Sequence, residues 1–333
     1  MKLFRGDGTK WQSEDIDQLV SMMATKDKET TEKREVSGAL EQKEWATKTV
    51  LAYAKEVLAK FPRLEKKMKV VMDCAYGATV NIAKKMWQQE GFEVITLHTE
   101  STGHNINAEA GSTNTIKLQQ AVLENRADLG VAFDGDGDRV VLIDEQGKHL
   151  DGDDIVYILA HQLRQNSKGV VTTVMSNGAL TNALAKLGLE HLRVAVGDKH
   201  ITQKLMQKDW CLGGEPSGHI MMFPFSRSGD GPLSGLACAL TAFARKEKLS
   251  GWRKELTKYP KKLVNYPLLT SDAKQQAWEA YLQQLQQEHQ EVDMLLRKSG
   301  TEPLFRVTIE AGNEQVLQSV LVKIEKKYAQ YLV

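Results

Sequence analysis

The chain lacks most features that would place it in a special class. Its three cysteines, Cys74, Cys211 and Cys238, are odd in number and far apart. That argues against a disulfide framework and fits free thiols in a reducing compartment. No apolar run approaches the ~20 residues of a membrane helix. The start, Met1-Lys-Leu-Phe-Arg-Gly-Asp-Gly8, has no apolar signal-peptide core. Lysines and arginines number 44 against 43 acidic residues, a net charge of +1. Composition therefore gives no footprint for nucleic acid or a charged membrane surface. There are no solenoid repeats, and the one biased tract, Gln-rich 283–290, reads as an exposed helix face. The remainder, 333 residues at 41% hydrophobic and 26% charged, is ordinary globular sequence long enough for two or three domains. A cytoplasmic protein is the expectation.

Residues 1–45 are polar and poor in large apolar groups, with Lys26–Glu35 a solvated helix or loop. A helical pattern starts near Lys43, with Trp45, Val50, Leu51, Ala54, Val57 and Leu58 at its apolar positions. Strands and helices then alternate: strand 69–73, helix 78–90, strand 93–97, helix 115–125 and strand 129–133. A second α/β unit follows, with helix 153–165, strand 170–175, helix 179–187, strand 193–196, helix 199–208, strand 219–222 and a long helix 233–248. Beyond Lys258-Tyr-Pro260 the order becomes strand 262–268, helix 272–288, strands 292–297 and 304–310, helix 314–331, an α+β layout. The fold class predicted is α/β, two consecutive mixed-sheet α/β domains followed by a smaller C-terminal α+β domain, with splits near 148 and 258.

Between two apolar strands lies Asp134-Gly-Asp136-Gly-Asp138-Arg139. Three carboxylates at alternate positions repel each other unless a cation sits among them. Oxygen ligands on a compact loop suit a hard cation, Mg²⁺ or Ca²⁺. A solvated acidic turn is the plainer alternative, but turn chemistry does not call for three aspartates in register. An EF-hand loop is a poor match, because its sixth position should be Gly and is Arg139, and because the flanks read as strands. Arg139 instead suggests phosphate held beside the cation.

Two further loops carry chemistry. Gly213-Gly-Glu215-Pro-Ser217-Gly-His219 gathers a carboxylate and a hydroxyl able to bond sugar hydroxyls, and an imidazole able to move a proton. Arg297-Lys-Ser299-Gly300-Thr301-Glu302 ends a strand and offers a guanidinium, hydroxyls and free backbone N–H groups to a phosphate, with Arg306 on the next strand as a further donor. An ordinary turn and an ordinary hairpin are the plainer readings of each. Gly197-Asp198-Lys199 and Ser228-Gly-Asp230-Gly231 read as turns with helix caps. His98, His104, His161 and His200 lack metal-ligand spacing, and Cys74 reads as packing. Metal, polyol and phosphate loops in successive domains suggest phosphoryl transfer on a sugar phosphate.

These motifs resemble the α-D-phosphohexomutase family, most closely its phosphoglucosamine mutase branch. The metal loop looks like Asp134–Arg139, the sugar loop like Gly214–His219 and the phosphate loop like Arg297–Pro303. Asn105-Ile-Asn107, Gly111-Ser-Thr113 and Val196-Gly-Asp198 also look like segments of that branch. The resemblance implies a four-domain enzyme around a central cleft. In this chain that is a remnant of the first domain and linker (1–45), a metal-loop domain (46–148), a sugar-loop domain (149–258) and a phosphate-binding domain (259–333). It implies interconversion of glucosamine 6-phosphate and glucosamine 1-phosphate through a phosphoserine and a bisphosphate, for amino-sugar biosynthesis. Asp134, Asp136 and Asp138 would bind Mg²⁺, Arg139 would brace the phosphate and His219 would be a candidate acid/base. Glu215 and Ser217 would hold sugar hydroxyls, and Arg297, Ser299, Gly300 and Thr301 the non-reacting phosphate.

There are departures. The family's nucleophile lies in a Ser-His-Asn-Pro loop, and no such string occurs here. Met1-Lys-Leu-Phe4 resembles the segment after that loop, so the chain is expected to begin just past the serine and to be inactive alone. A separately made first domain or a homodimer would then be a partner. Pro216 stands in place of Gln, Asn114 in place of His and Tyr76 in place of Asn. These leave open phosphomannomutase or phosphoglucomutase activity. A non-catalytic sugar-phosphate-binding fragment or subunit is the alternative that goes with the missing serine.

Overall fold

The computed structural model describes residues 3, 5–6, 11, 13–25, 39–223, 225–299 and 302–332. The expectation for Lys26–Glu35 lies outside them. The first helices are α1 (Ser13–Thr25) and α2 (Ala39–Leu58). Of the apolar positions predicted in α2, Ala54, Val57 and Leu58 are buried, whereas Trp45 is 70% exposed and Val50 39%. At 100° per residue Trp45 falls on the opposite side of the helix from Ala54. Val50 shares the packed side but precedes the packed end.

Next come β1 (Met68–Asp73), α3 (Ala83–Gln89), β2 (Phe92–Leu97), α4 (Ile116–Glu124), β3 (Leu129–Phe133), β4 (Val140–Asp144) and β5 (His149–Leu150). They form a five-stranded sheet of order β2-β1-β3-β4-β5. The first three strands are parallel, and β4 and β5 return antiparallel. Every residue of β3 and β4 is buried, which explains their unbroken apolar runs. The continuous helix predicted over 78–90 is instead a 3₁₀ turn (Ala78–Asn81) followed by α3. Thr79, Val80 and Ile82 are β-branched and resist the α-helical rotamers.

The second sheet is built from α5 (Gly152–Leu163), β6 (Gly169–Thr173), α6 (Ala179–Lys186), β7 (Glu190–Val194), α7 (Asp198–Lys208), β8 (Leu212–Gly214), β9 (Ile220–Met222), α8 (Gly231–Ala244) and α9 (Leu249–Glu255). Its order is β7-β6-β8-β9, again three parallel strands closed by an antiparallel hairpin. The two sheets thus repeat one topology. Three predictions shift here. β7 starts at Glu190, where its register against β6 begins. β8 lies inside what reads as the sugar loop, because three residues with two glycines show no period. The helix predicted over 233–248 ends early: α8 stops at Ala244, before Lys246 turns to φ +58°, and a separate helix, α9, begins at Leu249. α8 has no charged residue and is buried along nearly its whole length. It contacts β3, β4, β9, α5 and α9, as a helix apolar all round must be enclosed.

The chain divides into two compact units. The first holds the described residues up to Ser176 and Ala183–Leu256, with both sheets above. The second holds Asn177–Asn182 and residues from Thr257 onward. It contains β10 (Lys261–Pro267), α10 (Asp272–Glu288), β11 (Val292–Lys298), β12 (Leu304–Ala311) and α11 (Glu314–Leu332). Its sheet is antiparallel, of order β10-β12-β11, with Trp278, Leu282, Val307, Ile309, Val320 and Ile324 in its core. This is the α+β layout that the sequence predicts. Among the described residues no helix is long and apolar enough to cross a membrane.

Candidate functional site

Asp134–Arg139 connects β3 to β4, at the carboxyl end of the parallel strands, where open α/β sheets place their ligands. The loop turns at Gly137, whose φ of +77° is left-handed and whose notional Cβ would lie 2.6 Å from Thr79 Cγ2. Neighbouring backbone closes on it: Ala78 N–H donates to Gly135 O at 2.9 Å and Gly231 N–H to Gly137 O at 2.9 Å. Carboxylate oxygens of Asp134, Asp136 and Asp138 lie within 4.8 Å of one another. Asp134 is buried, Asp136 exposed and Asp138 between the two.

Both oxygens of Asp134 accept from Arg139, one from the backbone N–H at 3.1 Å and one from Nε at 2.8 Å. Burial pushes the Asp134 carboxyl up; the Arg139 hydrogen bonds oppose this, and the Asp138 charge adds to it. Burial also works against the Arg139 guanidinium, but the hydrogen bond and charge of Asp134, with Asp138 and Asp136, outweigh it and raise its pKa. Three converging carboxylates, one buried and all oxygen donors, fit a hard divalent cation. With Nε held by Asp134, neither Nη of Arg139 makes a bond among the described residues. Those nitrogens keep their donors for an anion.

The sugar loop joins β8 to β9, the same topological place in the second sheet that the metal loop takes in the first. Glu215 N–H donates to His219 O at 3.2 Å and Gly218 N–H to Glu215 O at 2.9 Å. Ser217 Oγ donates to Glu215 Oε1 at 2.8 Å. Gly152, at the start of α5, donates to Pro216 O at 3.1 Å. The two loops meet: Val140 N–H donates to Gly218 O at 2.9 Å, and Arg139 and His219 form an antiparallel bridge. His219 is buried, with Nε2 3.9 Å from both Asp138 Oδ2 and Asp198 Oδ2.

Asp198 reads as a turn residue within a segment that resembles the family, and the fold puts its carboxylate 3.9 Å from His219 Nε2. Asp73 and His98 were also missed. Asp73, wholly buried at the end of β1, accepts from Ala75 N–H at 2.9 Å and Gly111 N–H at 3.0 Å, with His98 Nδ1 2.9 Å away. Gly111 in turn sits where a Cβ would meet Phe133 O at 2.4 Å. Asp73 therefore fixes the backbone against which the metal loop rests. The sequence signal for it is an acid ending a buried strand. Asp230 does cap α8, accepting from Leu233 N–H at 3.0 Å, and burial pushes its carboxyl up. Burial pushes the Cys74 thiol up to about 11, a packing thiol rather than a nucleophile.

The remaining candidates lie in the second unit. Arg297 and Arg306 stand opposite each other in the β11–β12 register, so their side chains share a face of the sheet. Arg297 is exposed. Arg306 Nη2 donates to Glu302 Oε2 at 2.9 Å, so part of its fork is already engaged. Ser299 N–H donates to Leu304 O at 2.8 Å, and its Oγ makes no hydrogen bond among the described residues. Gly300 and Thr301 lie outside the described residues.

Comparison with known proteins places both α/β sheets in one family. Residues 51–147 match the family model described as phosphoglucomutase/phosphomannomutase, alpha/beta/alpha domain II, and 151–259 match domain III. The phosphoglucosamine mutase of Pseudoalteromonas translucida (strain TAC 125) is 43% identical over 263 residues, covering 77% of this chain and 59% of its own length. That of Vibrio vulnificus (strain YJ016) is 35% identical over 333 residues, covering 97% of this chain and 73% of its own. The chain spans 59% to 60% of the length of the first curated relatives it matches. Among solved structures, a phosphoglucomutase/phosphomannomutase family protein from Burkholderia thailandensis superposes with a TM-score of 0.70 at 20% identity, covering 85% of this chain and 64% of that one. Aspergillus fumigatus N-acetylphosphoglucosamine mutase, in complex with GlcNAc-6P and magnesium, gives 0.68 at 20% identity, covering 85% and 69%.

Proposed function

Since the chain belongs to the phosphoglucomutase/phosphomannomutase family, we propose that it serves phosphoglucosamine mutase chemistry, the interconversion of glucosamine 6-phosphate and glucosamine 1-phosphate. The observation that carries this is the carboxylate triad Asp134, Asp136 and Asp138, closed within 4.8 Å and joined through Arg139 to the His219 end of the sugar loop. The triad would hold Mg²⁺. When bound, that ion offsets negative charge building on a phosphoryl group in transfer. The chain's own residues do the rest. Arg139, anchored at Nε by Asp134, orients a phosphate with its remaining donors. Glu215 accepts from a sugar hydroxyl, with Ser217 beside it. His219, between two carboxylates at 3.9 Å, takes or returns the proton of the reacting hydroxyl. Arg297, Ser299, Gly300 and Thr301 anchor the phosphate that does not react, with Arg306 as a supporting cation.

The 333 residues contain no Ser-His-Asn-Pro string, the motif that would carry the phosphoryl group in the proposed cycle. We therefore propose that the chain alone binds Mg²⁺ and sugar phosphate together without turning over. The test is a coupled assay for glucosamine 1-phosphate run beside calorimetry on the same sample. Binding of glucosamine 6-phosphate that tightens with Mg²⁺, with no turnover until a phosphoserine domain is added in trans, supports the proposal. Full turnover by the chain alone overturns the inactive reading. Tighter binding of mannose or glucose phosphate reassigns the sugar.

A further inference from the structure

A cavity of about 700 Å³ opens in the first unit, within the size range of small-molecule sites. It lies at the amino ends of β1 and β3, among Met68, Ala127 and Asp128, whereas the metal loop leaves the carboxyl end of β3. Strands of this length separate the two places by roughly 17–20 Å. The cavity has no part in the site above.

Its apolar lining is Leu64, Met68, Leu123, Ala127 and Phe243. Its walls carry acids and bases whose engagement differs. Each acid has a partner in the fold. Glu145 accepts from Ser250 Oγ at 2.5 Å, Asp128 from Lys69 N–H at 2.7 Å, Glu65 pairs with Lys246 at 3.0 Å and Glu247 with Arg245 at 3.4 Å. The side chains of Lys66, Arg126 and Lys248 make no hydrogen bond or ion pair with a described residue. The bonds to the acids leave them charged but with oxygens already supplied with donors, whereas Lys66, Arg126 and Lys248 keep their side-chain N–H donors for an incoming anion.

We infer that this cavity is a second ligand site, for a small amphipathic anion. The apolar body lies on Leu64, Met68 and Phe243, and one carboxylate, sulfonate or phosphate group meets Lys66, Arg126 and Lys248. The inference is independent of the proposed mutase chemistry, because no residue is shared. The test uses the full chain and the fluorescent anion 8-anilinonaphthalene-1-sulfonate. It binds at one saturable site, and Mg²⁺ with glucosamine 6-phosphate does not displace it. N-phenyl-1-naphthylamine, which lacks the sulfonate, binds about tenfold more weakly or worse. The double variant Lys66→Gln with Arg126→Asn weakens the anion about tenfold or more, with its thermal midpoint kept. Asn suits the left-handed backbone of Arg126, at φ +47°. Lys248→Gln alone gives a smaller loss. Equal affinity for the two dyes, an unchanged double variant, or displacement by the sugar phosphate each overturns the inference.

Discussion

Arg139 and His219 pair as an antiparallel bridge, and each is the residue immediately before the antiparallel return strand of its own sheet. The two sheets repeat one topology, and they meet at equivalent positions. The carboxylate triad and the sugar loop are therefore held by a backbone contact between duplicated folds, not by flexible side chains. A site on such a contact is sensitive to backbone strain there and tolerant of change at loop tips.

The first expectation concerns the triad. In metal-free buffer Asp138→Asn keeps or raises thermal stability, because the Asp138 charge is one of the influences pushing the Asp134 carboxyl up. With Mg²⁺ present it loses about tenfold or more in affinity, at 1.4 kcal/mol per tenfold, and with it the stabilisation that ligand binding confers. Calorimetry and thermal denaturation with and without Mg²⁺ check both halves. Undiminished Mg²⁺ affinity would remove Asp138 from the site.

A second expectation tests the bridge. Gly218 has φ +92°, and a Cβ there would lie 2.1 Å from Val140 O. Gly188 has φ +74° with nothing within 4 Å. Gly188→Ala should cost only the left-handed backbone term, about 1 kcal/mol. Gly218→Ala should cost about 3 kcal/mol or more, since backbone on both sides must move. Urea denaturation of the two variants separates strain from clash; equal losses would mean the contact yields freely.

The third expectation is a pH dependence. Burial, with Arg193 adding, lowers His191 from 6.5 to about 4. Its Nε2 lies 2.7 Å from Thr172 Oγ1. The folded imidazole stays neutral while the unfolded one protonates near 6.5, so the unfolded state binds more protons between these values. Stability from this group is fully present above 6.5 and is lost as pH falls toward 4, by at most about 3 kcal/mol. His191→Gln should flatten that part of a stability–pH curve measured by denaturation. A parallel curve in the variant would assign the loss to other groups.

Last, Arg253 Nε lies 2.8 Å from Asp144 Oδ2, and Asp144 is wholly buried at the end of β4. Arg253→Ala leaves that carboxylate without its counter-charge and should cost about 3 kcal/mol. The amides of Gln146 and Lys148, which also donate to Asp144, limit the loss. The double variant Arg253→Ala with Asp144→Asn should recover part of the stability in thermal denaturation. No recovery would show that the loss comes from packing of the Arg253 stem.

Most elements were legible because their signals are local. α10 begins and ends as the pattern predicts, and β3 and β4 announce themselves as apolar runs around the acidic loop. What failed was also local in cause. Trp45 looks like core and is exposed, β8 is too short to show a period, and α8 ends where Lys246 adopts a backbone that no composition rule flags.

The sequence by itself determined which chemistries are available, since carboxylates, glycines and arginine at fixed spacing on one loop are contiguous along the chain. It also determined the α/β order that puts such loops at strand ends. Tertiary structure decided the company they keep: Asp198 beside His219, Asp73 behind the metal loop, Gly218 against Val140, and three unengaged cations around one cavity. Those contacts join residues distant in sequence. Only the closure of packed sheets and helices fixes which distant residues meet, and no periodicity along the chain encodes that.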